Sequence, residues 1–515
     1  MFTRKSTIVF FVFILIGFTV LAQNQALSII DKEDLKRHLT FIASDDLQGR
    51  KLGTEVDGLG ITANYLAEYV KKIGLKPGAE NYFQKVEMVS SKPNENNFIE
   101  VKNSKGKTLY KSGSIVCLNS NKAFGNLKDA DVIVAGFGDE TDGIDIDGKV
   151  VVIAQGNIES FKKGNLFRWN NRLERSKIES ISEQKPRTIV IVTNPQDKDN
   201  RTFSQIKAWF GRERFMIKTA EENKEAPVLV TIPKFADELL GGKGKYKEYL
   251  TGITENSKPN NFEVENRNVN PNAENITELV DAKNVIAVIE GSDSELKNEF
   301  VVFMAHYDHL GVSKDGDVYN GADDNGSGTV ALMEVAEAFA GLEKKPKRSI
   351  VFLWVTCEEI GMLGSEYYVE HPVFPLEKTI ACVNLDMVGR VFEPRDTVWN
   401  RSPKRVKDFD GLFTLSNDVW PELAEISAQK CAELGLVPDT TLPAFFMRSS
   451  DHYQFHRKGV PVLNLATGYH ADYHKVGDEG SKINFDKIKR VADLCFLLGY
   501  EIANKNKIEL KRETE

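Results

Sequence analysis

FVVFMAHYDHLG, residues 300–311, runs apolar for the length of one strand and then stops on His306 and Asp308. Strands that are apolar at nearly every position are those buried on both faces, as in a parallel sheet between helix layers. The pattern recurs twice. SIVFLWVTCEE (349–359) ends on Glu358 and Glu359, and TIACVNLDMVG (379–389) delivers Asp386. Between the first two lies NGADDNGSGTVALMEVAEAFAGL (320–342), a Gly-rich turn followed by apolar residues at helical spacing. Further out, NVIAVIEG (284–291) and PVLNLATG (461–468) read as strands. LGSEYYVEH (363–371), PELAEISAQKCAEL (421–434) and NFDKIKRVADLCFLLGYEIA (484–503) read as helices. Alternation of this kind predicts a layered α/β domain whose mixed, mainly parallel sheet is covered on both faces.

Upstream, LKRHLTFIA (35–43) and LGITANYLAEYVKKIGL (59–75) are amphipathic and flank the polar loop SDDLQGRKLGT (44–54). From 112 to 255 the texture changes to short β-rich runs: DVIVAGFG, KVVVIAQG, TIVIVT and PVLVTI, with one helical stretch, RLERSKIESISEQ. A discontinuous main domain, 33–111 with 256–505, is therefore expected, interrupted by a mainly β insert at 112–255. At the N-terminus, Arg4 and Lys5 precede an apolar run from Ile8 to Leu21, with Val20 and Ala22 as small residues. This is the pattern of a signal peptide over 1–22, too short for a comfortable membrane span. An exported chain, periplasmic or extracellular, with no stable membrane span after signal removal is the expectation. The other reading of that run is an uncleaved anchor.

Composition excludes several partners. The formal net charge is −8 and no basic stripe is interleaved with aromatics, which argues against nucleic acid. Five scattered cysteines without a C-x-x-C pair do not make a disulfide framework.

The chemistry-bearing residues cluster. Of eight histidines, only His38 lies outside the stretch from His306 to His474. Three strand ends bring His306, Glu358 with Glu359, and Asp386 to one edge, where open α/β sheets collect ligands. Asp323 and Asp324 could be a plain helix cap, but a cap needs only one carboxylate. Adjacent carboxylates at a buried strand end repel each other unless a cation is near. His452 and His456 have the spacing of a zinc helix, yet Tyr453 stands where that motif carries Glu, and they are read as mainly structural. In GYHADYHKVGDE (468–479), His470 and His474 are equivalent by pattern. No G-x-S-x-G elbow, phosphate-binding loop or dinucleotide fingerprint is present.

Taken in order, AHYDHLG (305–311), NGADDNGSGTVALMEVAEAF (320–339), TCEEIGMLGSEYY (356–368), NLDMVGR (384–390) and YHKVGDE (473–479) resemble the motifs of the co-catalytic zinc exopeptidases, the superfamily of secreted aminopeptidases and glutamate carboxypeptidases. SDDLQGRKLGT and SSDHYQFHRKGVPVLNL (449–465) are similar to that superfamily too. The resemblance implies a three-layer zinc peptidase domain, with 112–255 as an inserted protease-associated domain. It also implies two Zn²⁺ per chain: Asp324 bridges, His306 and Asp386 complete one ion, and Glu359 and His474 the other. Glu358 would be the general base acting on a metal-bridging hydroxide, and Asp308 the partner of His306. Three carboxylates and a hydroxide balance the four charges of two zinc ions. The implied activity is an aminopeptidase acting on peptides. A carboxypeptidase or dipeptidase of the same superfamily, a one-zinc glutaminyl cyclase and a non-catalytic receptor-like relative are the alternatives.

Overall fold

Seven of seven residues are buried in the strand Ser349–Val355 and in Thr379–Leu385, and six of seven in Phe300–His306, which is why these runs carry no polar alternation. The computed structural model describes residues 23–119, 130–139, 141, 144–164, 169, 171–197, 199–218, 226–394, 396, 406, 408–441 and 444–511. The expected signal segment, 1–22, lies outside the described residues. Two compact units divide the chain: Met1–Glu87 with Asp281–Glu515, and Met88–Val280.

The first unit is built on strands β1 (Asn275–Ile289), β2 (Phe300–His306), β3 (Ser349–Val355), β4 (Thr379–Leu385), β5 (Gly411–Ser416), β6 (Val437–Asp439) and β7 (Val462–Ala466). Their order is β6-β5-β7-β4-β2-β3-β1. β3, β2, β4 and β7 run parallel; β1 pairs antiparallel with β3, and β5 antiparallel with β7. Helices α1 (Lys32–Ile42), α2 (Gly58–Lys72), α3 (Gly328–Ala340) and α7 (Phe485–Asn504) pack together on one face. α4 (Leu363–Glu370) and α6 (His452–His456) cover the other, while α5 (Glu422–Glu433) lies against α7 and β5. Alternation along each strand feeds both layers. Val302, Met304, Val351, Leu353 and Val355 join Tyr368 and Phe455 on the α4/α6 side. Phe303 and Phe352 turn the other way, onto Phe339 of α3, with ring centroids 6.3 and 6.2 Å away. Burying each such side chain is worth about 1.5–3 kcal/mol. These layers hold the sheet, and with it the strand ends that carry the acids.

The second unit differs from the expected mainly β insert. Four parallel strands, Val132–Val134, Val150–Ala154, Thr188–Val192 and Val228–Thr231, lie side by side in that order. Five helices accompany them among the described residues: Ile158–Lys163, Asn171–Ser182, Arg201–Phe210, Pro233–Leu240 and Lys245–Asn256. Three of these, Arg201–Phe210, Pro233–Leu240 and Lys245–Asn256, bury three or four side chains each, too few for a sustained helical period in the sequence. The unit also begins before 112 and ends after 255. Strands Phe98–Asn103, Thr108–Ser112 and Arg267–Asn272 form a small antiparallel sheet, and their Ile99, Val101, Tyr110 and Val269 belong to this unit's core.

No helix among the described residues is long and apolar enough to cross a membrane.

Candidate metal centre

β2 has β3 and β4, its two successors in the parallel sheet, on opposite sides, so a crevice opens beyond the carboxyl ends of these strands. His306 is the last residue of β2. Glu358 and Glu359 follow β3, and Asp386 follows β4, where its N–H donates to the Leu465 carbonyl at 3.1 Å. Asp324 enters from the turn Ala322–Ser327 that opens α3. Both ends of that turn are tied down. Asp478 accepts the N–H groups of Asp323 and Asp324, each at 3.0 Å, and Asp323 accepts that of Gly389 at 2.7 Å. Asn325 donates to the Leu385 carbonyl at 2.8 Å and accepts from Met387 N–H at 3.1 Å, which clamps the turn to the loop after β4.

Five side chains converge. His306 Nε2 lies 3.5 Å from Asp324 Oδ1 and 3.5 Å from Asp386 Oδ1. His474 Nε2 lies 3.2 Å from Asp324 Oδ2 and 3.2 Å from Glu359 Oε2. His306 Nε2, Asp324 Oδ2 and Asp386 Oδ1 are buried without a hydrogen-bond partner among the described residues. Buried polar atoms left unpaired cost free energy unless something else meets them; here His306 Nε2 and Asp386 Oδ1 face each other, and Asp324 Oδ2 faces His474. The donor set, three carboxylates and two imidazoles, suits zinc. His306, Asp324 and Asp386 form one group that could hold a metal ion.

Charge follows the same geometry. Burial pushes Glu358 well above the usual carboxylate range, reinforced by Asp451, Glu359 and Asp386 although His306 opposes. Asp324 is pushed up to about 6 by burial and by Glu359. Burial works against the Glu359 carboxylate too, but hydrogen bonds from His309 and His474 outweigh it and hold the group below its ordinary range. Burial disfavours His474⁺, yet Asp324 and Glu359 raise its pKa to about 10. The site is starved of positive charge.

Not every expected residue stands where the sequence suggested. Asp308 Oδ1 is 3.7 Å from His306 Nδ1, beyond hydrogen-bond range, and the closer approach is from the Asp308 carbonyl at 3.3 Å. The Asp308 carboxylate instead accepts the N–H groups of Glu358 at 2.9 Å and Glu359 at 3.2 Å, fixing the turn that presents both acids. His470 is fully buried elsewhere, 3.3 Å from Asp323 Oδ2 and 3.4 Å from Arg390, so the structure brings His474 and not His470 to Asp324. His456 contacts Asn417 and His452 is enclosed in α6; the five-residue cluster is built without them. Two residues passed over in the sequence belong to the surroundings: His309, whose Nδ1 is 2.7 Å from Glu359 Oε1, and Asp451, which accepts from Ser365 Oγ at 2.5 Å. His309 was visible inside AHYDHLG. Asp451 carried no signal beyond its neighbours Ser450 and His452.

Beside the acids lies a pocket, partly open to solvent, whose lining includes Asp324, Glu358 and Asp386 together with Phe446, Tyr469 and Tyr473. Tyr473 stacks on His474 with centroids 3.7 Å apart.

The three-layer α/β unit thus carries a His, Asp and Glu cluster at its carboxyl edge. Within it, residues 284–498 match Peptidase family M28. The chain is 29% identical over 234 residues to Aminopeptidase YwaD of Bacillus subtilis (strain 168), covering 44% of this chain and 46% of that protein. It is 32% identical over 163 residues to leupeptin-inactivating enzyme 1 of Streptomyces exfoliatus, covering 32% of each. The matched segments thus span less than half the length of these curated relatives. Among solved structures, the aminopeptidase from Aneurinibacillus sp. strain AM-1 shares the fold, with a TM-score of 0.53 at 17% identity over 96% of this chain and 98% of that one.

Proposed function

We propose that the protein is an exported, two-zinc aminopeptidase that hydrolyses N-terminal residues from peptides. The observation that carries the reading is the convergence on Asp324: one of its oxygens faces His306 beside Asp386, the other faces His474 and Glu359. In this reading His306, Asp324 and Asp386 hold one zinc ion, and Asp324, Glu359 and His474 the other. Zinc in such a site lowers the pKa of water towards ~7 and polarises a scissile carbonyl. Glu358 accepts the proton of the attacking water and hands it to the leaving amine; burial, which favours its protonated form, suits the second half of that task. Asp308 keeps Glu358 and Glu359 apart by holding their backbone. In the same reading attack is at the amino end of the peptide. The aromatic residues lining the pocket suit an apolar first side chain. The names of the aminopeptidase relatives support the same end. Export rests on the apolar segment before Gln23, and the 88–280 unit stands as the protease-associated module.

Metal analysis with an aminoacyl reporter assay tests this. Glu358→Gln should keep both zinc ions and lose about 10²–10⁴ in kcat, whereas Asp324→Asn should lose metal as well. Full activity of Glu358→Gln would remove it as the base. Release of C-terminal residues only, with zinc restored, would overturn the aminopeptidase assignment.

A further inference from the structure

His309 is buried, and it forms a second group with Asp324 and Glu359 that could hold a metal ion. It therefore competes with His474 for a place on the same ion. Distances separate the two. Donors sharing one tetrahedral zinc at bonds of about 2.0–2.2 Å stand roughly 3.3–3.6 Å apart. His306 meets that spacing at 3.5 Å from two carboxylates, and His474 comes close to it at 3.2 Å from two. His309 Nδ1 is 2.7 Å from Glu359 Oε1 and 3.9 Å from Asp324 Oδ2. The first distance is a charge-assisted hydrogen bond, and the second is too long for a shared ion. The two oxygens of Glu359 are thereby divided: Oε1 faces His309, Oε2 faces His474.

We propose that His309 is a positioning residue, not a ligand: its Nδ1–H holds Glu359 Oε1 and so aims Oε2 at the zinc shared with Asp324 and His474. The inference rests on the two-zinc reading above. The surroundings fit it. His309 Nε2 is buried with no hydrogen-bond partner among the described residues, which leaves the proton on Nδ1, where the carboxylate needs it. Gly321, at φ 55°, lies flat against the imidazole; a Cβ there would come within 2.4 Å of the ring. The His309 N–H reaches the Arg50 carbonyl at 3.3 Å. Ring and backbone are both held. Carboxylate ligands oriented by such a partner typically lose 10–100-fold in metal affinity when the partner is removed.

The test uses the full chain. First, X-ray absorption of the wild-type protein loaded with two zinc ions should count two imidazoles per pair of ions; three would make His309 a ligand and overturn the proposal. Second, zinc titration against a chromophoric chelator should show one of the two sites weakened 10–100-fold in His309→Ala. His309→Asn, whose side-chain N–H sits where Nδ1 does, should recover most of that loss. Affinity unchanged in His309→Ala, or equally lost in Asn and Ala variants that keep the wild-type circular dichroism, overturns the proposal. Failure of the wild-type protein itself to bind two zinc ions would instead sink the functional reading on which it rests.

Discussion

Arg50 takes a full charge into the interior, and among the described residues its guanidinium donates only to backbone carbonyls: Tyr307 at 2.9 Å, Ile42 at 2.6 Å, Asn320 at 2.7 Å and Gly321 at 3.0 Å. Burial pulls its pKa down to about 10, although Asp308, Asp324, Asp478 and Glu359 work to raise it. One planar fork thus joins the loop after α1 to the loop that follows β2 and to the start of the turn that carries Asp324, and its charge offsets part of the repulsion among the nearby acids. Arg50→Met would leave several carbonyls unpaired and the acids less compensated. A loss of about 3 kcal/mol or more in unfolding free energy is expected for the metal-free protein. Urea denaturation measures it, and a loss under about 1 kcal/mol would show that water replaces the guanidinium at little cost. At this scale the sequence was informative about chemistry and silent about direction. His306, Glu359 and Asp386 were readable because strand ends point to one edge. His470 and His474, four residues apart in one loop, were equivalent by pattern; the family resemblance pointed to His474, and the fold gives His470 to Asp323 and Arg390. The same limit hid His309: a carboxylate 50 positions away, not its neighbours, decides what it does.

Helix α7 packs against the sheet so closely that Gly499 has no room for a methyl group. A Cβ there would lie 2.6 Å from the Phe303 ring and 3.0 Å from Phe339. Gly499→Ala gains helix propensity, about 1 kcal/mol, but overpacks a core that costs 1–3 kcal/mol to shift. Net destabilisation in urea is expected; a stabilised variant would show that Phe303 moves freely. Helix α3 carries a different load. Glu334 is fully buried on it and accepts the Asp31 N–H at 3.1 Å, next to the start of α1. Burial, more than the acids Glu337, Asp34 and Asp31, pushes its pKa from 4.5 to about 8. The folded state therefore binds a proton that the unfolded chain has released above about 4.5, so this group's contribution falls as pH rises towards 8. Glu334→Gln should remove that slope. Its stability relative to the parent should grow between pH 5 and pH 8, read as urea midpoints; a constant difference would place the titration elsewhere. Elements of this kind differed in how well they could be read. β2, β3 and β4 were plain because burial on both faces leaves an unbroken apolar run. β5 (GLFTLS) and the three-residue β6 were missed, since both are short and β5 is only partly buried at its end.

At the scale of the whole chain, each unit has its own hydrophobic core, and the candidate metal centre lies wholly in the unit formed by 1–87 and 281–515. The texture of the sequence located a second unit but drew its edges too tightly, because the Phe98–Asn103 and Arg267–Asn272 strands resemble any other short β run until they are seen paired with each other. The division has a thermodynamic consequence. A ligand that binds only the folded form of one unit stabilises that unit by RT ln(1 + [L]/Kd), about 2.7 kcal/mol at a hundred times Kd. Zinc bound at Asp324 should therefore protect β2 and β4 while leaving the strands Val150–Ala154 and Thr188–Val192 as they were. Hydrogen exchange read peptide by peptide, with and without a chelator, measures both at once. Chelation should speed exchange in 300–306 and 379–385 by up to roughly 100-fold under conditions where global opening dominates. Equal acceleration in 150–154 and 188–192 would mean that the two units open as one cooperative body. No change in either would mean that the cluster around Asp324 holds no ion in the folded protein.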